Sequence, residues 1–277
     1  MIITDRFVYV HMPKTGGTFV AKVLERIHEA RGDAIRKQYS DAPPDPMLRR
    51  VKRVLRGGNT FIYMQHKQKN GSYNQHGISS KIPREHCNKP ILGTVRNPYD
   101  RYVSQYEFQW WRLHPEQLAS DIDALRAEYP HFPDVSFEEF VKLSNKYFVR
   151  RPPTKLSDEA MLGRQTEQFA TYYFKNPDDF AAIDSDYLAV GRFHVDLMPK
   201  LHLISTGNLN QNLHDFLLKM DYPEAEIAFI LSEGKIYPGR GGRRPDQKWE
   251  KYYTPQIKAW VRQRERILFE MFPEFDI

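Results

Sequence analysis

The segment at positions 7–20, FVYVHMPKTGGTFV, constrains the fold more than any other part of the sequence. It begins with a short β-branched and aromatic run, which predicts a buried strand, and it continues into apolar residues at helical spacing. Gly16 and Gly17 therefore lie at a junction between a strand and a helix. Because glycine lacks a Cβ atom, the backbone there can approach an anion closely, and the N–H groups of the first helical turn point towards it. The pattern is typical of a phosphate-binding loop.

Three side chains around the glycine pair have chemistry that suits an anion. Lys14 supplies positive charge, and Thr15 and Thr18 supply hydroxyl donors. The segment is not a Walker A sequence, in which the lysine directly follows the glycines as GKS or GKT, because Lys14 precedes them. This order disfavours an ordinary ATPase or GTPase. A tight turn with an exposed lysine is the other interpretation of the segment.

A second motif follows the next predicted strand. ILGTV at 91–95 predicts a buried strand, and it runs directly into RNPYDRYVS at 96–104. Pro98 predicts the start of a helix, because proline is favoured at the first helical position. Arg96 offers a planar fork of donors suited to phosphate, and Ser104 adds a donor about two turns into the predicted helix. We expect Arg96 and Ser104 to bind one phosphate group.

PKTGGT followed by RNPYDRYVS resembles the paired signatures of sulfotransferases that use 3′-phosphoadenosine 5′-phosphosulfate (PAPS). The resemblance is closest to the carbohydrate branch, which includes the heparan-sulfate 6-O-sulfotransferases. It implies two sets of donor contacts and the product adenosine 3′,5′-bisphosphate. The residues implied to hold the 5′-phosphosulfate are Lys14, Thr15, Gly16, Gly17 and Thr18, and those implied to hold the 3′-phosphate are Arg96 and Ser104. The implied fold is a P-loop-type three-layer α/β/α arrangement with a central, mostly parallel sheet.

A glycine- and arginine-rich segment, YPGRGGRRP at 237–245, is a third candidate phosphate-binding element. Its glycines permit close backbone approach, and Arg240, Arg243 and Arg244 supply positive charge. The segment loosely resembles the late loop that closes over PAPS in this family, so Arg240 and Arg243 are predicted to contact the donor. The alternatives are a flexible basic loop and a short RNA-binding run, although no aromatic stacking pattern supports RNA.

Sulfuryl transfer requires charge stabilisation and a base. Lys14 is predicted to stabilise the charge that develops on the bridging oxygen of the leaving bisphosphate. His66 is the leading candidate for the base, because it follows the apolar run FIYM and because the resembling 6-O-sulfotransferases have a catalytic histidine between the two motifs. His76 and the carboxylate of Glu107 are the alternatives, and His11 is expected to support the loop. No carboxylate constellation demands magnesium, so no metal is predicted.

Length and composition agree with one sulfotransferase domain over 1–277, with substrate-facing insertions around 31–60 and 105–185. The hydrophobic fraction of 40% excludes global disorder, and no apolar run approaches the ~20 residues of a membrane span. The first predicted strand begins close to Met1, so no signal peptide or membrane anchor is expected. The lone Cys87 permits no intramolecular disulfide and fits a reducing compartment, which predicts a cytoplasmic protein.

Other patterns predict scaffold elements. SFEE at 136–139 is typical of a capping box that opens a helix, and 158–174 predicts another helix. LAVGRF after Tyr187 predicts a strand, and HLIST at 202–206 predicts one more.

Two features beside the motifs have open interpretations. Trp110 and Trp111 could stack on sugar rings, although at least one of them is expected in the core. The basic run between Arg49 and Arg56 is expected to be a solvated face, and its alternative role is attraction of an acidic acceptor or nucleotide.

The formal net charge of +6 and the isoelectric point near 9.2 suit a protein that binds a multiply anionic cofactor. Charge alone is also compatible with nucleic acid. Two rival functions are a P-loop small-molecule kinase, which requires ATP and magnesium, and a non-catalytic nucleic-acid-binding module, which would weaken steeply with salt. Neither accounts for both motifs. The sequence therefore predicts a PAPS-dependent sulfotransferase that acts on a hydroxyl of a carbohydrate or glycolipid and has no nucleic-acid partner.

Overall fold

The structure is a computed structural model that describes residues 1–39, 60–67, 71, 73–234, 236, 244 and 246–277. Its strands are β1 (Ile2–Ile3), β2 (Val8–Val10), β3 (Ala34–Tyr39), β4 (Thr60–Lys67), β5 (Tyr73–Asn74), β6 (Ile91–Val95) and β7 (Leu201–Ser205). Its α-helices are α1 (Gly17–Ala30), α2 (Pro98–Phe108), α3 (Trp110–Leu113), α4 (Pro115–Leu118), α5 (Ile122–Glu128), α6 (Phe137–Tyr147), α7 (Arg164–Tyr173), α8 (Ser185–Ala189), α9 (Arg192–Val195), α10 (Leu209–Lys219), α11 (Glu224–Ile227), α12 (Pro255–Arg264) and α13 (Arg266–Met271).

The chain divides into two compact units. The first comprises Met1–Val95 with Pro199–Pro238, and the second comprises Arg96–Met198 with Gly239–Ile277. The first unit contains β1 to β7, whereas the second is built mainly from helices. The expectation of one domain with insertions around 31–60 and 105–185 stays a prediction. Within the described ranges, no helix is both long enough and apolar enough to cross a membrane.

A mixed sheet organises the first unit. The strand order is β3-β4-β1-β2-β6-β7, and β5 pairs with β4. Parallel pairing joins β3 to β4, β2 to β6 and β6 to β7, whereas β1 and β5 run antiparallel to their neighbours. All the longer strands therefore run in the same direction. This confirms the predicted α/β fold with a central, mostly parallel sheet.

One face of this sheet packs against α1 and α10. Ile2, Tyr9 and Leu92 share that face, because residues paired directly across neighbouring strands point to the same side of a sheet. The core on this face is completed by buried residues of the two helices, among them Val20, Leu24, Ile27, Leu213, Phe216 and Leu217. Each such side chain contributes about 1.5–3 kcal/mol when fully buried. The packing fixes the start of α1, and with it the loop that connects β2 to α1.

The capping box predicted at 136–139 is present in the second unit. Ser136 Oγ accepts a hydrogen bond from Glu139 N at 3.3 Å, and the Glu139 carboxylate accepts one from Ser136 N at 2.8 Å. The helix predicted over 158–174 is also present, but it is confined to α7.

A buried carboxylate caps α7 from a distant part of the chain. Glu265 is fully buried, and it accepts hydrogen bonds from the backbone N–H groups of Gln165 at 3.1 Å and Thr166 at 2.7 Å. The hydroxyl of Tyr102 on α2 also donates to Glu265 at 2.6 Å. Because the first N–H groups of a helix lack intrahelical partners, this carboxylate supplies the cap that Gly163 cannot provide. It ties α2 to α7.

The strand predicted at LAVGRF is wrong, because this segment is helical. It forms the end of α8 and the start of α9, with Gly191 between them in the left-handed conformation at φ 66°. The Asp184 side chain accepts a hydrogen bond from Tyr187 N at 2.8 Å and caps α8. Helix capping therefore overrides the β-propensity of the apolar residues. The strand predicted at HLIST is confirmed as β7.

The two adjacent tryptophans have different environments. Trp111 is 3% exposed, and its Nε1 donates to the carbonyl oxygen of Tyr106 at 3.1 Å. Trp110 is 36% exposed. The expectation that at least one of them lies in the core is confirmed.

Candidate active site

The loop between β2 and α1 has the predicted strand, turn and helix. β2 ends at Val10 and α1 begins at Gly17. Lys14 and Gly16 both adopt left-handed backbone conformations, with φ of 66° and 80°. A Cβ atom on Gly16 would lie 2.8 Å from Leu209 Cδ2. Both conformation and space therefore require glycine at position 16.

The amino terminus of α1 fits an anion. No side chain caps this end of the helix, and no acidic residue lies in its first turn. The N–H groups there carry the positive end of the helix dipole. Lys14 and Thr18 are half-buried on either side of the glycine pair. A phosphate or sulfate group matches the chemistry of these donors.

The side chain of Thr15 stabilises the conformation of the phosphate-binding loop. It is fully buried, and its Oγ1 donates to the carbonyl oxygen of Met12 at 2.8 Å. Thr94 Oγ1 on β6 lies 2.7 Å from the same hydroxyl, and the Tyr9 hydroxyl lies 3.4 Å from Thr94 Oγ1. These contacts tie the loop to the neighbouring strand. The backbone of Thr15 is then the part that can contact an anion.

His11 packs against the first residue of α1. Its side chain is 5% exposed, and a Cβ atom on Gly17 would lie 1.8 Å from its Nε2. The ring also stacks on Tyr9 with centroids 5.9 Å apart. Burial lowers the pKa of His11 well below its ordinary value, with a smaller contribution from His76. The imidazole is therefore neutral at neutral pH.

His76 has a defined tautomer. Its Nδ1 lies 3.1 Å from the carbonyl oxygen of His11. Because a carbonyl oxygen can only accept, Nδ1 donates, and in the neutral form of the ring Nε2 is then the nitrogen that can accept a proton. The rings of His11 and His76 meet edge to face with centroids 4.6 Å apart. A half-buried imidazole with an acceptor Nε2 is suited to take a proton from a hydroxyl.

His66 is more enclosed than the sequence indicated. It lies within β4 and is 5% exposed. Its ring faces the backbone of Gly77, where a Cβ atom would come within 2.0 Å of Nε2. Burial lowers the pKa of His66 to about 4. The ring is neutral at pH 7, but it is a weaker base than an ordinary histidine.

The second motif lies in the second unit. α2 begins at Pro98 as predicted, and the Asn97 side chain caps it by accepting from Tyr99 N at 2.9 Å. Arg96 Nε donates to Asp100 Oδ2 at 2.6 Å, one helical turn further on. This ion pair orients the guanidinium, whose terminal nitrogens carry the further N–H donors that suit a phosphate.

Ser104 and Glu107 follow on the same helix. Ser104 is 8% exposed and lies two turns into α2, as predicted. The Glu107 carboxylate accepts hydrogen bonds from the Tyr252 hydroxyl at 2.7 Å and from the side chain of Gln247. Glu107 therefore anchors the segment at 247–252 within the second unit, which makes it a less suitable base than a histidine.

Some predicted elements lie outside the described residues. These are Arg240 and Arg243 with most of 237–245, and the basic run between Arg49 and Arg56. Arg244 is described, and its backbone N–H donates to Gln247 Oε1 at 2.7 Å.

Sequence reasoning missed Thr94 and Asp100. Thr94 is a polar residue inside the apolar strand β6, and its hydroxyl contacts the phosphate-binding loop. Asp100 lies four residues after Arg96, the spacing at which opposite charges pair on a helix. Both signals were present in the sequence.

Comparisons with known proteins identify the family of this chain. The model described as the sulfotransferase family matches residues 2–188, a range that includes both phosphate motifs. No curated protein sequence matches the chain. A crystal structure of the mouse sulfotransferase SULT7A1 complexed with PAP resembles it with 14% identity and a TM-score of 0.40, covering 98% of this chain and 84% of that chain. A crystal structure of a sulfotransferase from Alicyclobacillus acidocaldarius resembles it with 13% identity and a TM-score of 0.36, covering 96% and 95%. Because the family match spans more than half of its residues, this chain belongs to the sulfotransferase family.

Proposed function

We propose that the chain transfers a sulfuryl group from PAPS to a hydroxyl of a carbohydrate or glycolipid and releases adenosine 3′,5′-bisphosphate. The observation that carries this proposal is the family match over residues 2–188, which contain both phosphate motifs. The uncapped start of α1, with no acidic residue in its first turn, supports an anionic donor. The net charge of +6 supports the same conclusion.

Each unit has its own proposed donor contacts. In the first unit, the contacts to the 5′-phosphosulfate are Lys14, Thr15, Gly16, Gly17 and Thr18. In the second unit, Arg96 and Ser104 contact the 3′-phosphate, and Arg240 and Arg243 make further contacts. Lys14 stabilises the negative charge that develops on the oxygen from which sulfur departs.

The chemistry asks the protein for a proton acceptor. The acceptor oxygen forms a bond to sulfur, the bond between sulfur and the phosphate oxygen breaks, and the hydroxyl proton passes to a base. His66 and His76 are the two proposed bases. His76 suits the role better, because its Nε2 is the acceptor nitrogen and the ring is half-buried. His66 is enclosed by Gly77, and its lowered pKa makes it a weaker base.

Other observations support a carbohydrate or glycolipid as the class of acceptor. PKTGGT and RNPYDRYVS resemble the carbohydrate branch of the family, and the exposed Trp110 offers an aromatic face of the kind that stacks on sugars. The insertion around 105–185 is proposed to shape the acceptor pocket. The free, exposed Cys87 fits a reducing compartment, so a cytoplasmic location is proposed.

Calorimetric titration with adenosine 3′,5′-bisphosphate tests the proposal without knowledge of the acceptor. We expect micromolar or tighter binding, about 100-fold weaker in Arg96→Ala because a charge-assisted phosphate contact is lost. Arg126→Ala, which removes an exposed arginine of the same unit, is the matched control and should bind as the wild type does. Preference for ATP with magnesium would favour a kinase, and no binding of either nucleotide would refute the donor site.

Turnover variants test the catalytic roles once an acceptor is found among p-nitrophenyl glycosides. Lys14→Ala should lose turnover, whereas Lys219→Ala, an exposed lysine of the same unit, should keep it. His76→Gln should abolish transfer with bisphosphate affinity nearly unchanged. If His66→Gln abolishes transfer instead, the base is His66.

A further inference from the structure

His11 is in contact with both the phosphate-binding loop and His76. The ring atoms Nε2, Cδ2 and Cε1 occupy the space where a Cβ atom of Gly17 would lie, so this edge of the imidazole supports the first residue of α1. The same ring meets His76 edge to face at 4.6 Å, and the His11 carbonyl accepts the hydrogen bond from His76 Nδ1. One residue therefore touches the start of the anion-binding helix and the more suitable base.

The imidazole of His11 is not explained by core packing alone. Its Nδ1 is buried and has no hydrogen-bond partner among the described residues. A buried polar group without a partner costs about 1–3 kcal/mol, which an apolar side chain of similar size would avoid. A small, flat, neutral ring nevertheless fits between Gly17 and His76. A ring that fits this closely transmits a displacement of either neighbour to the other.

We propose that His11 is a positioning residue that couples the phosphate-binding loop to His76. When the loop holds its anion-binding conformation, the ring of His11 holds the imidazole of His76 in the orientation in which Nδ1 donates and Nε2 faces the reacting hydroxyl. The role in transfer rests on the proposed function. The mechanical coupling itself does not, because it involves only His11, Gly17 and His76.

The first test reads the tautomer of His76 by imidazole ¹⁵N NMR in the protein without nucleotide. The wild type should show the form protonated at Nδ1. His11→Ala removes the ring contact and should populate both tautomers, whereas His11→Gln, whose amide can fill the same space, should keep most of the wild-type signature. His194→Ala, which removes an exposed histidine elsewhere, should leave it unchanged. An unaltered His76 spectrum in His11→Ala would overturn the coupling.

The second test is a double-mutant cycle on the affinity for adenosine 3′,5′-bisphosphate. Gly17→Ala places a Cβ atom 1.8 Å from the wild-type position of His11 Nε2, and it should weaken binding about 10-fold or more. His11→Ala opens that space, so the double variant should bind more tightly than Gly17→Ala alone. If the losses of bisphosphate affinity in the two single variants simply add in the double variant, the contact between position 17 and His11 is not the cause of the weaker binding in Gly17→Ala. If the wild type binds no bisphosphate, the proposed function fails, and the NMR result still decides the coupling.

Discussion

The hydroxyl of Thr15 should be the strongest single tie between the phosphate-binding loop and the sheet. Its one proton goes to Met12 O at 2.8 Å, so the Thr94 hydroxyl, at 2.7 Å, donates to Thr15. Both contacts are buried. Thr15→Val keeps the shape of the side chain, removes both hydrogen bonds and leaves a carbonyl and a hydroxyl without these partners. At about 1 kcal/mol for each net bond, with an added penalty for the stranded groups, the loss should be about 2–3 kcal/mol.

Thr94→Val should cost less, about 1 kcal/mol, because Thr15 still donates to Met12. The double variant should lose only slightly more than Thr15→Val alone, because the bond between the two hydroxyls is already lost in that variant and the Tyr9 contact that Thr94→Val also removes is long, at 3.4 Å. The cycle therefore gives a coupling of about 1 kcal/mol.

Urea unfolding measures these losses, and bisphosphate titration measures their effect on the loop. Thr15→Val should also weaken nucleotide binding, because the loop conformation is then less populated. A Thr15→Val variant within about 0.5 kcal/mol of the wild type, or single losses that add in the double variant, would contradict the role of this hydroxyl.

Three further outcomes are expected. Gly16→Ala should abolish bisphosphate binding, because position 16 has φ 80° and its Cβ would meet Leu209 at 2.8 Å, whereas Gly207→Ala, with its nearest contact at 3.6 Å, should bind normally. Glu265→Ala should lower the free energy of unfolding by about 3–5 kcal/mol, because a buried carboxylate that caps α7 is lost. The control variant Glu270→Ala, at an exposed position, should leave the free energy of unfolding unchanged. The pKa of His66 falls from about 6.5 in the unfolded chain to about 4 on folding, so acid protonates the unfolded state first, and stability should fall as the pH drops. Between pH 7.5 and 5 His66 should lower the free energy of unfolding, measured with urea, by about 2 kcal/mol. A His66→Gln variant whose stability has the same pH dependence as the wild type would contradict this role of His66.

Much of the fold could be predicted from local patterns. Apolar runs of four or five residues marked β2 and β6 correctly, because strands that are buried on both faces lack polar alternation. The capping box at Ser136 also formed where its spacing indicated. The segment at LAVGRF failed, because the cap supplied by Asp184 and the break at Gly191 decided its conformation, not its apolar content.

The candidate site could be predicted in part. The glycine pair and Pro98 identified the starts of α1 and α2, since both are determined by backbone chemistry within a few residues. The choice between His66 and His76 could not be made from the sequence. It depends on contacts with Gly77 and with the carbonyl of His11, which are distant in the chain and come together only in the folded unit.

The antiparallel strand β1 makes the sheet dependent on a very short segment. In the order β3-β4-β1-β2-β6-β7, Ile2 and Ile3 provide the pairing that joins β4 to β2. β4 carries His66 and pairs with β5, which ends two residues before His76. β2 leads into the loop, and β6 carries Thr94. Ile2 and Ile3 therefore join the strands next to the candidate catalytic histidines to the strand that leads into the donor loop. A protease or an engineered fusion that displaced Ile2 and Ile3 would weaken the attachment of these histidines to the donor loop while leaving every catalytic side chain intact.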